Sequence, residues 1–237
     1  MQATIRIPLL YLLGSGVLYA LARMALPANG NFVTAAQAAA FLLPGALLVH
    51  ALLKAEIKRR EEIERSLRIQ ATHDPLTGLV NRAHFQEMLE RAQARAERHG
   101  RPYGVAYIDL NDFKKINDQH GHHIGDLLLT EVASRISGLV RAGDCAARFG
   151  GDEFVVLVDD RGDQGVYRLS ERLRDAFAKP FTVEGLTLSI SASIGVAFYP
   201  EHGHHGLKLL QAADKAMYAA KAKRKGRANK TSLSSAA

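Results

Sequence analysis

The sequence predicts a mixed α+β fold behind an apolar N-terminal region, and three observations lead to this prediction. Over the last two thirds of the 237 residues, segments with apolar residues at helical spacing alternate with short runs of β-branched residues. The pair Gly150-Gly151 separates two apolar runs, as in adjacent antiparallel strands joined by a tight turn. Residues 1–53 contain two long apolar stretches. Helices together with a hairpin indicate a sheet that is at least partly antiparallel.

The two apolar stretches, residues 7–26 and 32–53, are each long enough to cross about 30 Å of hydrocarbon as a helix. The short connection between them carries no charge, whereas Arg6 precedes the first stretch. Basic residues follow the second stretch at Lys54, Lys58, Arg59 and Arg60. Positive charge on both outer flanks predicts two transmembrane helices, with both ends of the anchor on the cytoplasmic side.

Two other interpretations of the N-terminal region stay open. The two stretches could form a buried helix pair in a soluble protein. The first stretch could instead be a signal peptide that is cleaved near Ala28. In that case the second stretch would still leave the rest of the chain in the cytoplasm.

Residues 54–73 are dense in charge and predict a helix that links the anchor to the following domain. Its apolar positions match only fragments of a heptad, so a coiled-coil stalk and a solvated linker helix are both compatible with it. These positions are Leu53, Ile57, Ile63 and Leu67. Pro75 disfavours helix in the residue before it and marks a domain boundary. Residues 230–237 are small and polar and predict a disordered tail.

Composition narrows the choice of compartment and partners. The single cysteine, Cys145, cannot form an intrachain disulfide, which suits a reducing compartment. The formal net charge of +7 lies mainly in the linker and near the C-terminus. Since no aromatic residues interleave with either basic cluster, we expect no nucleic-acid partner.

The predicted secondary structure follows from these patterns. The predicted helices cover residues 82–98, 125–140, 165–178 and 206–223. The predicted strands cover residues 104–110, 145–149, 154–158, 181–183 and 186–199.

Carboxylates lie at the ends of two predicted strands. Asp109 ends the apolar run at residues 104–110, and Asp152 and Glu153 follow the Gly-Gly turn directly. Carboxylate oxygens are the ligands that hard divalent cations prefer, so Asp109 and Asp152 are the candidates for a metal site. Glu153 ranks second because successive strand residues face opposite sides of a sheet. Solvated acids at strand ends are the alternative interpretation.

Five motifs, in order along the chain, resemble the GGDEF family. They are DPLTGLVNR at residues 74–82, DLNDFKKIND at 109–118, GHHIGD at 121–126, RFGGDEF at 148–154 and ADKAMYAAK at 213–221. Active members of this family are diguanylate cyclases, which condense two GTP into cyclic di-GMP. The resemblance implies a nucleotidyl-cyclase or polymerase-palm-like domain over residues 74–229, with a mostly antiparallel central sheet flanked by helices.

The resemblance also implies the roles of the acidic residues. Each active site would bind two Mg²⁺ or Mn²⁺ ions through Asp109, the main-chain carbonyl of Leu110 and Asp152. Asp152 would also accept the proton of the attacking 3′-hydroxyl, with Glu153 as a second catalytic candidate.

Substrate contacts follow in the same way from the resemblance. No Walker motif occurs, so a turn at residues 112–115 would bind the triphosphate through main-chain amides. The implied phosphate contacts are the amides of Phe113 and Lys114, the side chain of Lys221, and either Lys225 or Arg227. Asn117 and Asp126 would bind guanine, which needs both an acceptor and a donor.

The resemblance implies feedback and a dimer. Arg141 and Asp144 match an Arg-x-x-Asp site at which these enzymes bind cyclic di-GMP as an inhibitor. A helix end followed by a loop acid is the default interpretation of this pair. Since one domain binds one GTP, synthesis requires a homodimer.

With the predicted anchor, these inferences describe a multi-pass protein of the bacterial inner membrane whose catalytic domain lies in the cytoplasm. A catalytically silent receptor for GTP or cyclic di-GMP is the alternative function. The guanine pair disfavours a cyclase for another nucleotide.

Overall fold

The computed structural model describes residues 31–159 and 165–234, with side-chain surroundings for residues 45–159 and 165–226. The chain divides into two compact units, Met1–Leu67 and Arg68–Ala237. The first predicted membrane helix, residues 7–26, lies outside the described residues.

Helix α1 covers Asn31–Thr72 and contains both the second apolar stretch and the predicted linker helix. Side-chain surroundings are not described for residues 32–44 of the second apolar stretch. Among the residues for which they are described, no helix has the length and apolar character needed to span a bilayer. The apolar positions of the linker segment are solvent-exposed in the single chain. They include Leu53, Ile57, Ile63 and Leu67.

The remaining elements form a five-stranded sheet with helices on both faces, and a small separate hairpin. The helices are α2 (Arg82–His99), α3 (Phe113–Ser137), α4 (Gly165–Ala178) and α5 (Gly206–Ser234). The strands are β1 (Val80–Asn81), β2 (Gly104–Leu110), β3 (Cys145–Gly150), β4 (Glu153–Val158), β5 (Phe181–Val183), β6 (Leu186–Leu188) and β7 (Ala192–Phe198).

The large sheet has the order β1-β3-β4-β2-β7. Only the short β1–β3 pair is parallel, and the other three pairs are antiparallel. The prediction of a mostly antiparallel sheet flanked by helices is therefore confirmed. Strands β5 and β6 form the separate hairpin.

The predicted turn between β3 and β4 is confirmed. Gly150 and Gly151 have φ angles of 142° and 51°, in the region that residues with a side chain rarely adopt. The register shifts between Arg148 and Gly150, so the intervening Phe149 forms a bulge. The turn places Asp152 just before β4, beside the end of β2.

Apolar side chains on the two faces of the sheet form two cores. On one face, Ile108 and Leu110 pack with residues of α3 and α4. On the other face, Val105 and Tyr107 pack with residues of α2 and α5. Since side chains alternate along a strand, Asp109 belongs to the face covered by α2 and α5.

Three predicted elements differ from the structure by more than three residues. Helix α3 begins at Phe113 rather than at residue 125, with a non-helical residue at Gly121, whose φ is 84°. The segment predicted as one strand at residues 186–199 is divided between β6 and β7. Helix α5 continues to Ser234 rather than ending at residue 223, so it extends into the predicted tail. No proline occurs in residues 224–234, so no residue of this extension blocks the continuation of the helix.

Strand β7 and helix α5 approach each other closely at Gly195. A Cβ atom at this position would lie 2.1 Å from both the carbonyl oxygen of Ala213 and the amide nitrogen of Met217. Only glycine permits this approach, which brings the middle of α5 against the sheet. The contact determines where the next turns of α5, including Lys221, lie over the ends of the strands.

We expect Gly195→Ala to destabilise the domain by about 1–3 kcal/mol, because α5 must move away from β7. The matched control is Gly226→Ala on the same helix, where an added Cβ meets nothing within 4 Å. The control should be neutral or more stable by up to about 1 kcal/mol. Thermal unfolding followed by circular dichroism measures both effects, and equal midpoints for the two variants would contradict the prediction.

Candidate active site

The site begins at the C-terminal end of β2. The Asp109 side chain is 9% exposed, and its Oδ1 accepts a hydrogen bond of 2.6 Å from Nζ of Lys221 on α5. A buried carboxylate requires a charged or hydrogen-bonding partner, and Lys221 provides one. The structure therefore brings together two of the residues that the sequence predicts for the site.

Asp152 lies beside this pair in the hairpin turn. Its main-chain carbonyl accepts a hydrogen bond of 3.2 Å from the amide of Leu110, which joins the turn to the end of β2. Burial and the negative charge of Asp109 raise the pKa of the Asp152 carboxyl, while Lys221 and Arg148 act in the opposite direction. The two acids therefore repel each other, and a bound cation would relieve this repulsion.

Glu153 lies on the same face of the sheet as Asp109, because the two residues are direct partners in the β2–β4 register. Its Oε2 accepts a hydrogen bond of 3.1 Å from the hydroxyl of Tyr107. Burial and the charge of Glu153 raise the pKa of this hydroxyl, which keeps it protonated as a donor. In the sequence analysis Glu153 ranks second because successive strand residues face opposite sides of a sheet. That argument does not apply to Asp152 and Glu153, because Asp152 lies in the turn and β4 begins at Glu153.

A buried polar network holds the end of β2 in place. Asn111 is 3% exposed, and its side chain donates to the hydroxyl of Ser191 at 3.0 Å. Its Oδ1 accepts a hydrogen bond of 2.8 Å from the hydroxyl of Ser193. The amide of Asn111 also donates to the carbonyl of Ser191 at 2.8 Å. These bonds fix the backbone between Asp109 and the start of α3.

The N-terminus of α3 is a candidate anion site. Asp112 precedes the helix with a φ of 61° and makes no side-chain capping bond. The first amides of a helix have no partners within it, and they carry the positive end of the helix dipole. Phe113 and Lys114 are the first two residues of α3, as the predicted phosphate contacts require. The Phe113 side chain is buried, so it anchors this end of the helix.

Arg224 is a site residue that the sequence analysis missed. Its Nη2 donates to Oδ2 of Asp112 at 3.0 Å, and Nζ of Lys115 lies 3.1 Å from Oδ1 of the same carboxylate. The hydrogen bond from Lys115 and then that from Arg224 lower the pKa of Asp112. The Nε of Arg224 is buried and has no hydrogen-bond partner among the described residues. Lys225, the predicted clamp, is exposed, and the side chain of Arg227 lies outside the described part.

The signal that could have identified Arg224 is helical spacing. Lys221 and Arg224 are three residues apart on α5, so they lie on one face of that helix. Their partners Asp109 and Asp112 are also three residues apart, at the junction of β2 and α3.

Asn117 and Asp126 belong to the two segments of α3 on either side of Gly121. Oδ1 of Asn117 is buried and has no hydrogen-bond partner in the described structure. Gly125 makes room for it, since a Cβ there would lie 1.8 Å from this oxygen. The unsatisfied acceptor fits a ligand that supplies an N–H donor. Asp126 is exposed, so its carboxylate is accessible.

Arg141 and Asp144 lie in the loop before β3. The amide of Arg141 donates to Oδ2 of Asp144 at 2.9 Å, and the amide of Asp159 donates to Oδ1 at 3.3 Å. Arg141 is exposed. At about 3.3 Å per residue, β3 separates this loop from the Gly-Gly turn by roughly 20 Å. The pair therefore lies apart from the acids at the end of β2.

Arg148 connects the domain boundary to the hairpin turn, a contact that the sequence analysis did not predict. Its Nη1 donates to both carboxylate oxygens of Asp74, at 3.1 and 3.3 Å. Its Nε and Nη2 donate to the carbonyl of Gly151 at 3.1 and 2.8 Å. Burial opposes ionisation of Asp74, but hydrogen bonds from Thr77 and Arg148 lower its pKa. This network holds the turn that carries Asp152.

The donor atoms fit a hard divalent cation. Asp109, Asp152 and the carbonyl of Leu110 offer oxygen ligands, and Mg²⁺ in phosphate-handling sites is held by one or two carboxylates together with waters and phosphate oxygens. Within the described residues, no group of three or more His, Cys, Asp or Glu side chains is arranged to hold a metal ion.

Comparison with known proteins identifies relatives over the same region. The curated relatives include a bifunctional diguanylate cyclase/cyclic di-GMP phosphodiesterase, MucR, from Pseudomonas aeruginosa, which is 46% identical over 151 residues. That match covers 64% of this chain and 22% of MucR. The diguanylate cyclase TpbB from the same organism is 41% identical over 170 residues, covering 71% of this chain and 39% of TpbB. The chain thus spans only a minor part of these relatives.

Solved structures agree with the sequence matches. The GGDEF domain of TpbB superposes with a TM-score of 0.61 at 41% identity, covering 62% of this chain and 92% of that one. The coiled coil and GGDEF domain of DgcB from Caulobacter crescentus, solved with cyclic di-GMP, superposes with a TM-score of 0.67 at 31% identity. It covers 75% of this chain and 95% of the DgcB chain.

The family described as "Diguanylate cyclase, GGDEF domain" matches residues 71–227, which is more than half of the chain. This range contains every acidic, amide and basic residue of the site described above. The chain belongs to the GGDEF diguanylate cyclase family.

Proposed function

We propose that this chain is a membrane-anchored diguanylate cyclase, which condenses two GTP into cyclic di-GMP and two pyrophosphates. The observation that carries the proposal is that Asp109 and Asp152 lie close enough to repel each other and that Lys221 bonds Asp109. The N-terminus of α3, which has no side-chain cap, follows directly after β2. Acids that could hold a cation, a basic side chain and main-chain amides are what a triphosphate-cleaving site requires.

In each half of the reaction, the 3′-hydroxyl of one GTP attacks the α-phosphorus of the other. A bond forms between the 3′-oxygen and the α-phosphorus, the bond to the β-phosphate oxygen breaks, and pyrophosphate leaves. Asp152 accepts the proton of the hydroxyl. Two Mg²⁺ or Mn²⁺ ions would be held by Asp109, Asp152 and the carbonyl of Leu110. Such ions would neutralise phosphate charge and favour the deprotonated hydroxyl.

Substrate binding follows from the remaining contacts. The amides of Phe113 and Lys114 bind the triphosphate at the start of α3, and Lys221 binds the β- and γ-phosphates. The position of Arg224 beside Asp112 supports it as the second basic contact, in place of Lys225 or Arg227. Asn117 and Asp126 bind guanine, and the unsatisfied Oδ1 of Asn117 supports this assignment.

The active enzyme is a homodimer, because each domain holds a single GTP and the product contains two. The exposed apolar residues of α1 support pairing of two copies along the linker helix. The DgcB structure, which contains a coiled coil and a GGDEF domain, is consistent with such a stalk.

The first prediction tests the activity itself. The chain incubated with GTP and Mg²⁺ should form cyclic di-GMP and pyrophosphate, whereas ATP should give no cyclic dinucleotide. Asp109→Asn and Asp152→Asn should each reduce turnover by at least about 10²-fold, because each removes a charged ligand from a phosphoryl-transfer site. Product chromatography measures turnover, and circular dichroism checks that the variants are folded.

One outcome would contradict the proposed activity, and another would contradict the assignment of a metal ligand. Binding of GTP or cyclic di-GMP without turnover by the wild type would favour the silent receptor. Near-normal synthesis by either variant would remove that residue from the metal site.

Arg141 and Asp144 form an inhibitory site for cyclic di-GMP in this proposal. The bonds to the Asp144 carboxylate hold the loop while Arg141 extends into solvent, where its guanidinium can contact a guanine edge and a phosphate. Because the loop lies roughly 20 Å from the acids, product there would act by holding two domains apart rather than by blocking GTP directly.

We expect Arg141→Ala to relieve product inhibition while leaving the initial rate unchanged. The measurement is the progress curve of synthesis with and without added cyclic di-GMP. Arg172→Ala, which removes an exposed arginine that bonds the nearby carbonyl of Leu139, is the matched control and should keep wild-type inhibition. Equal slowing of wild type and Arg141→Ala would show that the pair only shapes the loop.

Residues 7–26 and 32–53 anchor the enzyme in the bacterial inner membrane, with the catalytic domain in the cytoplasm, where GTP is available. The uncharged connection between basic flanks supports this orientation. A reporter active only in the cytoplasm, fused after Tyr199, and one active only after export, inserted at Asn29, should both give signal. An exported catalytic domain would contradict the orientation.

A further inference from the structure

The proposed roles of Asp109 and Lys221 compete with the contact that the structure shows between them. Oδ1 of Asp109 lies 2.6 Å from Nζ of Lys221. In the proposed function the same carboxylate is a metal ligand and the same nitrogen is a phosphate ligand. A divalent cation and an ammonium group compete for this one carboxylate, because the two positive charges repel each other at close range.

The burial of Asp109 and Lys221 strengthens the competition between the ammonium group and a metal ion for the carboxylate. The side chains of Asp109 and Lys221 are only 9% and 26% exposed, so water screens their attraction incompletely. No other side chain in the described structure donates to the carboxylate of Asp109. Lys221 is therefore the side chain that stabilises this buried charge, and a metal ion has to compete with it.

A second ion pair shows that Lys221 is not the only basic residue of α5 that contacts an acid near the end of β2. Arg224, one helical turn after Lys221, pairs with Asp112 at 3.0 Å. Lys221 and Arg224 thus each pair with an acid at the junction of β2 and α3. Unlike the first pair, the second is more open, with side chains 35% and 43% exposed. It involves no predicted metal ligand.

From these contacts we infer that Lys221 is an exchangeable counter-ion of the metal site. It neutralises Asp109 until a triphosphate attracts its ammonium group, and its departure then frees Asp109 for the metal. The inference rests on the proposed function and adds an order of binding events to it. A divalent ion binds weakly to the free protein and tightly once nucleotide is bound. Since linkage is reciprocal, the metal also promotes transfer of Lys221 to the phosphates.

The coupling predicts a gain of metal binding when Lys221 is removed. Without nucleotide, Lys221→Met should bind Mn²⁺ on the order of tenfold more tightly than the wild type, within the usual range of coupling between sites. The free Mn²⁺ signal in electron paramagnetic resonance, recorded during titration of the full chain, measures the affinity. Lys221→Gln provides a second variant with a polar side chain, should the methionine variant not fold.

Two controls separate exchange at Asp109 from a general effect of charge. Lys223→Met removes the same charge from an exposed position two residues further along α5, and its Mn²⁺ affinity should equal that of the wild type. The double variant Asp109→Asn, Lys221→Met should lose the gain, because the freed carboxylate is the ligand.

The inference is overturned if the wild type and the folded Lys221 variants bind Mn²⁺ with equal affinity. It is also overturned if none of these proteins binds Mn²⁺. A gain of the same size in Lys223→Met, or one that persists without Asp109, also overturns it. Because no nucleotide is present, the result is independent of turnover. Failure to convert GTP would reject the proposed function, whereas equal affinities in an active enzyme would reject only the exchange.

Discussion

Strand β2 is hydrogen-bonded along both edges and buried at every residue, and the site depends on the way this strand ends. Its partners β4 and β7 occupy both edges, and helices cover both faces. An acid at the end of such a strand cannot be fully hydrated, so Asp109 needs a cation. Lys221 meets that need in the structure. A site whose acids require positive charge is also suited to hold metal ions and phosphates.

The helices bring the other groups to this point by close backbone packing. The absence of a side chain at Gly195 allows α5 to lie directly against β7, and Lys221 and Arg224 follow on the same face of α5. On the neighbouring side, the positive φ of Asp112 turns the chain from β2 into α3 within two residues. The amides at the start of α3 therefore lie beside the acids. Short, constrained connections of this kind hold a site with little conformational freedom.

Predictions that rest on adjacent residues agree with the structure. The Gly150-Gly151 turn, the buried strand before Asp109 and the amphipathic helices are all encoded by consecutive residues, because backbone preference and apolar periodicity are local properties. Boundaries were less accurate. A helical segment that was not predicted begins at Phe113, and Gly121, with φ 84° and ψ 160°, separates it from the segment that contains the start of the predicted helix at residue 125. The segment at residues 186–199 divides where the chain leaves the small hairpin for the large sheet.

By itself, the sequence determined the kinds of elements, the order of the motifs and most residues of the candidate site, with the exception of Arg224. Only the tertiary structure decided which charges meet. Arg224 and Asp112 are separated by 112 residues, and Arg148 and Asp74 by 74, so no local pattern connects them. The tertiary structure also paired Lys221 with Asp109. Distances between such groups depend on how helices pack on the sheet, and that packing depends on many residues together rather than on any one segment.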